Sequence, residues 1–294
     1  MNGKTSTILA VGAAGKFAGL VVPELAKRGV TVRGLIRDAQ QGEEVRKHGA
    51  AEVAIGDLRD RASLNAALRD VDAVFYIAPA FIADEGEIGK GMVDAAKQAG
   101  VRRFVFSSVI DPILSALVNH SAKAPVEEAI IESDMEYALL HPTLFFQGIA
   151  AGWPMAVKTG VFAEPWSTET RFTRVDYRDV AEVAAIALTE DRLLYGTYEL
   201  CAEGNLNRND VAALMGEVLG RKIEAARLNP DKLADASRNS GDDTQMAATR
   251  AMFDWYDTHG LLGNPLTLRA ILGREPRTLR AYIEGLAAEP QPAD

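Results

Sequence analysis

Short apolar runs alternate with longer stretches at helical spacing from the N-terminus to about Pro142. This alternation constrains the fold more than any other feature, because it is the pattern of repeated βαβ units around a parallel sheet. Strands of such a sheet are covered on both faces, and most of the runs are accordingly apolar throughout. We therefore predict an α/β fold with a doubly wound parallel sheet, whose first six strands are Thr7–Val11, Val30–Ile36, Glu52–Ile55, Ala73–Ile77, Arg103–Phe106 and Tyr137–Leu140.

Beyond Pro142 the alternation weakens, and glycines and prolines fall among aromatic residues. We divide the chain into a parallel-sheet domain, residues 1–145, and a second lobe, residues 146–294, that is partly interleaved with the first. In the second part we predict a strand at Thr197–Cys201 between helices Asp179–Leu188 and Asn209–Leu219, each capped by its first residue. Pro23 falls inside the first predicted helix, where a proline is expected to kink the backbone.

Charge and cysteine content exclude several classes of function. The net charge is -9, with 32 Lys and Arg against 41 Asp and Glu interspersed along the chain. This balance disfavours direct binding to nucleic acid or to an anionic membrane surface. Cys201 is the only cysteine, which excludes an intramolecular disulfide. No apolar stretch is long enough to span a bilayer, so we expect a cytoplasmic protein.

The segment Ile8–Gly19, ILAVGAAGKFAG, is the strongest local signal for a function. It reads as a buried strand, a glycine-rich turn and the start of a helix. Gly12 permits the tight turn and Gly15 lets the backbone approach a diphosphate, while N–H groups at the helix start provide positive potential. The spacing G-x-x-G-x-x-x-G differs from the common G-x-G-x-x-G. The motif therefore indicates a dinucleotide site, with an ordinary strand-to-helix turn as the alternative.

The residue at the end of the second strand bears on which dinucleotide is bound. Many NAD-binding proteins place an acidic residue there against the ribose hydroxyls, but this chain has Arg37 in the string GLIRD. A guanidinium can pair with a 2′-phosphate, which favours NADP(H), with NAD(H) as the other option. Asp38 is the competing ribose ligand, in which case Arg37 is merely solvated.

Two further strand ends fall where a nucleotide would lie. Asp57 follows the third strand, where its carboxylate can accept a hydrogen bond from an adenine amino group or can cap a turn. Ile77-Ala78-Pro79 ends the fourth strand at the expected switch point of the sheet, although any strand end followed by proline reads the same way. Both positions remain candidates for cofactor contact.

With these elements placed, the chain resembles the NmrA-like branch of the atypical short-chain dehydrogenase/reductases along nearly its whole length. The supporting strings, in order, are VGAAGKFAG, VRGLIRD, GDL, VDAVFYIAP, VRRFVFSSV, HSAKAPVEEAI, YALLHPTLFFQ, VDYRDVAEVAAIAL, MFDWYDTHGLLG and LGREPRTL. The family pattern is G-x-x-G-x-x-G with a threonine before the second glycine. Here Ala14 and Ala18 stand in place of the threonine and the last glycine, and both are small enough for the turn.

The resemblance implies a Rossmann-type sheet with strand order 3-2-1-4-5-6, a seventh strand and a small C-terminal α/β lobe that closes over the nicotinamide. The site residues that it implies, together with those read from the motifs, form one cofactor set. They are Gly12, Ala14, Gly15, Lys16, Phe17, Arg37, Asp57, Leu58, Ala78, Pro79, Lys123 and Pro142.

The chain departs from the wider superfamily at the catalytic position. Ordinary members protonate the reduced carbonyl with a Tyr-x-x-x-Lys pair. Lys123 aligns with the lysine, but the tyrosine position holds Asn119, and an amide is not a useful proton donor. Ser107, at the end of the fifth strand, is a candidate to hydrogen-bond the substrate, or it caps the local backbone. We therefore select Ser107 and Lys123 as catalytic candidates. Lys123 can also hold the nicotinamide ribose, or it is a surface lysine near a helix start.

Two functions follow from these residues. The first is a reductase that passes hydride from NADPH to a small acceptor, such as a quinone, whose reduction does not need the missing tyrosine. Its acceptor pocket would be walled by aromatic residues that otherwise belong to the core: Phe145, Phe146, Trp153, Phe162 and Trp166. The second is a redox sensor of NAD(P)(H) that acts through a protein partner, and a homodimer is also left open.

A serine hydrolase and a metal site rank below these two functions. Ser107 and Ser108 lack the G-x-S-x-G elbow of that class of hydrolase. The four histidines are scattered along the chain without the i, i+4 pairing typical of a helical metal site, so no metal is expected.

Overall fold

The computed structural model describes residues 6–229 and 243–289. Its main sheet has seven strands, β1 (Thr7–Val11), β2 (Thr31–Ile36), β3 (Glu52–Ile55), β4 (Ala73–Ile77), β5 (Arg103–Ser107), β6 (Glu136–Pro142) and β10 (Gly196–Leu200). Their spatial order is β10-β6-β5-β4-β1-β2-β3, and every pairing is parallel. The predicted doubly wound fold, with the order 3-2-1-4-5-6 and a seventh strand, is therefore confirmed.

Helices cover both faces of this sheet. On one face lie α1 (Ala18–Lys27) and α8 (Tyr177–Thr189), which share a hydrophobic cluster with the strands. On the other face lie α3 (Arg61–Ala67), α4 (Glu85–Gln98) and α6 (Ala124–Ile131), which form a second cluster. The short helices α2 (Gly42–Lys47) and α5 (Val118–Ser121) complete this part of the chain.

Strand alternation assigns each side chain of a central strand to one of these two faces. In β5, Phe104 and Phe106 pack in the cluster of α3, α4 and α6, whereas Val105 packs in the cluster of α1 and α8. The same alternation holds in β6, where Leu139 and Leu140 belong to opposite clusters. This alternation also determines which polar side chains can meet at the ends of these strands.

The second lobe is attached where the chain leaves the carboxyl ends of β6 and β10. Its sheets pair β11 (Asn205–Leu206), β9 (Phe172–Val175) and β7 (Leu144–Phe145), and β12 (Glu224–Arg227) with β8 (Val161–Glu164). Its helices are α7 (Trp153–Thr159), α9 (Arg208–Leu219), α10 (Asp243–His259) and α12 (Leu279–Ala288), while α11 (Leu266–Leu272) packs against the main sheet. The lobe thus lies at the edge of the sheet where βα loops gather.

Helix starts differ from the prediction by a few residues. The caps are Asp176, whose carboxylate accepts the N–H of Arg178, and Asn207, rather than the predicted Asp179 and Asn209. Asp179 is instead buried and accepts hydrogen bonds from arginines of the C-terminal segment. Pro23 lies within α1, and the helix continues through it to Lys27.

None of the helices in residues 6–229 and 243–289 combines the length and the apolar character needed to cross a bilayer.

Candidate active site

A cavity of about 490 Å³ opens at the carboxyl ends of β1, β2 and β4, and its volume falls in the usual range for ligand pockets. Ten of the twelve predicted cofactor residues line it: Gly12, Ala14, Gly15, Lys16, Phe17, Arg37, Asp57, Leu58, Ala78 and Pro79. Lys123 and Pro142 lie outside this lining, just before α6 and at the end of β6. Sequence reasoning missed other lining residues: Ile36, Gln41, Arg59, Ile82 and Ile88.

The glycine-rich turn is tight and has backbone N–H groups without a backbone partner. Gly12 has φ +71, a conformation that favours glycine, and Gly15 donates its N–H to the Gly12 carbonyl at 2.7 Å. A Cβ on Gly15 would lie 3.0 Å from that same oxygen. Among the described residues, the N–H groups of Ala14 and Lys16 make no backbone hydrogen bond. They are therefore available to an anion beside the start of α1.

Arg37 and Asp38, the two competing ribose ligands, have different positions. Arg37 lines the cavity and is exposed. Asp38 is absent from the lining, and its carboxylate accepts the N–H of Gln40 at 2.9 Å, which caps a short 3₁₀ turn. This geometry favours Arg37 as the group that meets a ribose phosphate.

An exposed ion pair borders the cavity near Asp57. Arg59 donates from Nε and from one terminal nitrogen to the two carboxylate oxygens of Asp84, both at 2.8 Å. These bonds lower the pKa of the Asp84 carboxyl. Asp57 itself accepts the N–H of Arg59 at 2.8 Å, so that its carboxylate shapes the turn that it was also predicted to cap.

The glycine-rich turn is tied to the second lobe. Lys16 donates to the carbonyl of Gln147 at 2.7 Å. The ring of Phe17 packs against Phe145 and Tyr177, with centroids 4.6 and 4.9 Å away. The Gln147 side chain in turn accepts the N–H of Tyr177 at 3.0 Å. A ligand bound to this turn would therefore lie next to Lys16 and Phe17, which contact the lobe.

Lys123 forms a buried ion pair that the sequence did not reveal. Its ammonium donates to Glu85 at 2.5 Å and to the carbonyl of Asn119 at 2.9 Å. Glu85, at the start of α4, is fully buried, and burial raises its pKa while the Lys123 charge opposes that rise. An ammonium has three donors, so one hydrogen of Lys123 is left for a ligand.

Ser107 and Ser108 point to opposite faces of the sheet. Ser107, the predicted catalytic serine, is hydrogen-bonded to the hydroxyl of Tyr177 at 2.9 Å on the α8 side. Ser108 instead donates to Glu127 of α6, the helix that Lys123 precedes. Because residues alternate along a strand, only one serine can share a layer with Lys123, and it is Ser108.

Tyr177 is sealed from solvent. Burial raises the pKa of its hydroxyl, and its ring is fully buried between Phe17 and Phe145. The phenol therefore stays protonated and serves Ser107 as a partner.

The five aromatic residues expected to wall the acceptor pocket do not share one space. Phe146, Trp153 and Phe162 are buried in the core of the lobe, and Trp166 belongs to another buried cluster with Phe253 and Tyr256. Phe145 alone is partly exposed, beside Phe17. The alternative reading, in which these rings are core, therefore describes four of the five.

The region around Asn119 contains a second tyrosine hydroxyl. His120 is fully buried, with Nδ1 3.2 Å from the carbonyl of Asp111 and Nε2 3.0 Å from the hydroxyl of Tyr256. Burial lowers the pKa of His120 to about 4. Since a carbonyl can only accept, the neutral ring is assigned its hydrogen on Nδ1, and Nε2 accepts from Tyr256. This pair fastens α10 to α5, the short helix that contains Asn119.

No cluster of three or more His, Cys, Asp or Glu side chains suited to a metal ion occurs in the described part of the chain. The polar residues at the ends of the strands are instead engaged with each other in pairs. The site is therefore one cavity bordered by a glycine-rich turn and, on the next strands, a group of hydrogen-bonded acids and bases.

The fold and this cavity define a Rossmann-type α/β protein. The model of the NmrA-like family matches residues 4–283, and the chain belongs to that family. It is 28% identical over 283 residues to an NAD(P)H azoreductase of Xenophilus azovorans, covering 96% of this chain and 98% of the relative.

Solved structures agree with this assignment of the fold. An NADPH-dependent quinone oxidoreductase of Escherichia coli, complexed with NADPH, superposes with a TM-score of 0.81 at 20% identity, covering 96% of this chain and 99% of the other. A triphenylmethane reductase of Citrobacter sp., complexed with NADP(H), gives a TM-score of 0.82 at 21% identity, with 95% and 99% covered. Each similarity extends over nearly the full length of both chains.

Proposed function

We propose that this protein is an NADP(H)-dependent reductase that transfers hydride to a small acceptor such as a quinone. The observation that carries the proposal is that one cavity gathers the glycine-rich turn, Arg37 and the Ala78-Pro79 strand end. The azoreductase, quinone oxidoreductase and triphenylmethane reductase named above support the same class of reaction.

The residues of the cavity fit the parts of such a cofactor. The N–H groups of Ala14 and Lys16 suit the diphosphate, and the Arg37 guanidinium suits the 2′-phosphate. Asp57 and Leu58 suit the adenine side, and Lys123, outside the cavity lining, has one hydrogen that suits a ribose hydroxyl. When bound, the nicotinamide would supply the hydride, and the protein would supply its orientation.

The chain does not offer the usual proton donor for carbonyl reduction, since Asn119 occupies that position and Tyr177 is sealed. This favours acceptors that are readily reduced over simple ketones. The single cysteine agrees with a reducing cytoplasm as the place of action.

The test is a binding titration with NADPH and NADH of the wild type and of Arg37→Ala, followed by addition of acceptors to the saturated complex. We expect Arg37→Ala to weaken NADPH binding about 10- to 100-fold, the scale of one charge-assisted contact, and to leave NADH binding unchanged. Arg69→Ala, an exposed arginine outside the cavity lining, is the matched control. Equal losses for both nucleotides would refute the assignment of Arg37.

Acceptor addition then separates the reductase from the second function, a redox sensor that works through a protein partner. NADPH consumption at background across quinones, azo compounds and triphenylmethane dyes would refute the reductase. Tight NADPH binding together with such inactivity would leave the sensor as the function to pursue.

A further inference from the structure

Three polar side chains meet at the carboxyl edge of the sheet on the same face as the end of the cavity. Ser108 and Glu127 are hydrogen-bonded, and Nε2 of His141 lies 2.9 Å from the same Glu127 oxygen. His141 and Glu127 each keep 13% of their side-chain surface exposed. The proposed binding of the cofactor uses none of these three side chains.

Strand register places this group beside the cavity. Ile77 of β4, Ser107 of β5 and Leu140 of β6 are register partners, so that the next residue on each strand is Ala78, Ser108 and His141. Ala78 lines the cavity and packs in the cluster of α3, α4 and α6. With strands about 4.8 Å apart, His141 lies about 10 Å across the sheet from Ala78. The row therefore runs from Ala78, in the cavity lining, through Ser108 to His141 on β6.

The hydrogen bonds of His141 leave one nitrogen available. Nε2 faces Glu127, while Nδ1 has no hydrogen-bond partner among the residues that the structure describes. Glu127 accepts a hydrogen bond from the hydroxyl of Ser108. It lies one helical turn after Lys123, whose carbonyl accepts the Glu127 N–H. The charged groups around the ring also include Glu199, its register partner on β10, and Asp111. Burial and the Glu199 charge raise the pKa of Asp111, and His141 opposes that rise. In this arrangement Glu127 holds the Nε2 edge of the ring, and Nδ1 lies on the ring edge turned away from that carboxylate.

We propose that His141 delivers the proton that completes acceptor reduction, and that Glu127 and Ser108 position its ring. The proposal rests on the reductase function and deepens it. Hydride addition to a quinone leaves one oxygen anionic, and that oxygen takes the proton from Nδ1 of His141 to give the quinol. The ring keeps its Nε2–H bond to Glu127 and regains a proton from solvent through its exposed edge.

The chemistry of the acceptor provides a direct test. A quinone takes up one hydride and one proton, whereas a cationic triphenylmethane dye takes up hydride alone and becomes the neutral leuco form. Loss of a proton donor should therefore slow only the first reaction. We expect His141→Asn to lower kcat for the quinone about 100-fold, the usual scale of general acid catalysis, and to change kcat for the dye less than about twofold.

Glu127→Gln should show the same selectivity with a smaller loss, because the ring remains but is held less firmly. The matched control is His48→Asn, which removes an exposed histidine paired with Glu44 at 3.2 Å on α2. It should leave both reactions unchanged. NADPH titration of each variant verifies that the cofactor cavity is intact.

A measurement without turnover tests the hydrogen bond itself. The ¹⁵N resonances of the His141 imidazole, assigned by their loss in His141→Asn, should report hydrogen on Nε2 in the wild type and change in Glu127→Gln. Unchanged resonances would overturn the positioning role of Glu127.

The remaining outcomes separate the two proposals. Equal losses for quinone and dye in His141→Asn, or no loss for either, would overturn the role of His141 while the reductase function stands. A wild type that binds NADPH but reduces neither acceptor would overturn the reductase and, with it, this inference.

Discussion

Lowering the pH should destabilise the protein through His120, which is sealed between the carbonyl of Asp111 and the hydroxyl of Tyr256. Burial holds its pKa at about 4 in the folded chain, below the ordinary value of 6.5. Between these two values the unfolded chain binds a proton that the folded chain does not. Stability therefore falls as the pH drops from about 6.5 towards 4, and this contribution is present in full above that range.

The magnitude follows from the two pKa values. Linkage makes unfolding about 2 kcal/mol more favourable at pH 5 than at pH 7 for this one group. Urea unfolding followed by far-UV circular dichroism at both pH values measures the change. Other groups also titrate in this range, so the wild type must be compared with a variant that lacks the imidazole.

The comparison variant is His120→Gln, whose side-chain carbonyl can still accept from the Tyr256 hydroxyl. The variant should be less stable than the wild type at pH 7, yet its loss between pH 7 and pH 5 should be smaller by about 2 kcal/mol. Parallel pH dependences of the two proteins would refute the reasoning, because they would mean that His120 is not held neutral by its surroundings.

Two further predictions concern the cofactor end of the molecule. Gly15→Ala should weaken NADPH binding at least about tenfold, because the new Cβ would lie 3.0 Å from the Gly12 carbonyl and open the turn. The control is Gly91→Ala, whose Cβ meets nothing within 4 Å and which should bind NADPH normally. Calorimetric titration with NADPH measures both variants. Glu85→Gln should lower the free energy of unfolding by about 3 kcal/mol, since it leaves the Lys123 ammonium buried opposite a neutral group. Guanidinium unfolding measures this, and an additional Lys123→Met change should restore part of the loss, whereas an additive loss would contradict the pairing.

The sequence predicted the strands well because each signal is local. Thr7–Val11, Glu52–Ile55 and Ala73–Ile77 match the structure at both ends, and the others differ by one or two residues. Buried parallel strands are continuous apolar runs bounded by turns, so each strand can be recognised from its own residues and those that flank it in the sequence. The helix starts were less accurate, since Asp176 and Asn207 precede the apolar pattern that defined the prediction.

The residues that line the cavity were easier to predict than the polar pairs beside it, for the same reason. Ten residues of the cavity come from strand ends that a linear pattern reveals. The pairs Lys123–Glu85 and His141–Glu127 join residues 38 and 14 positions apart, and no spacing rule connects them. Strand alternation was a usable signal for Ser108, because Phe106 and Ser108 must share a face once Ser107 is assigned to the other.

The path of the chain has a consequence for exchanging parts between relatives. The polypeptide leaves the main sheet after β6, builds part of the lobe, returns as α8 and β10, and then leaves again for α9. A lobe with a different acceptor preference therefore cannot be grafted as one terminal block. A chimera must join the donor sequence on both sides of α8 and β10 and keep the Lys16–Gln147 contact across the new junction.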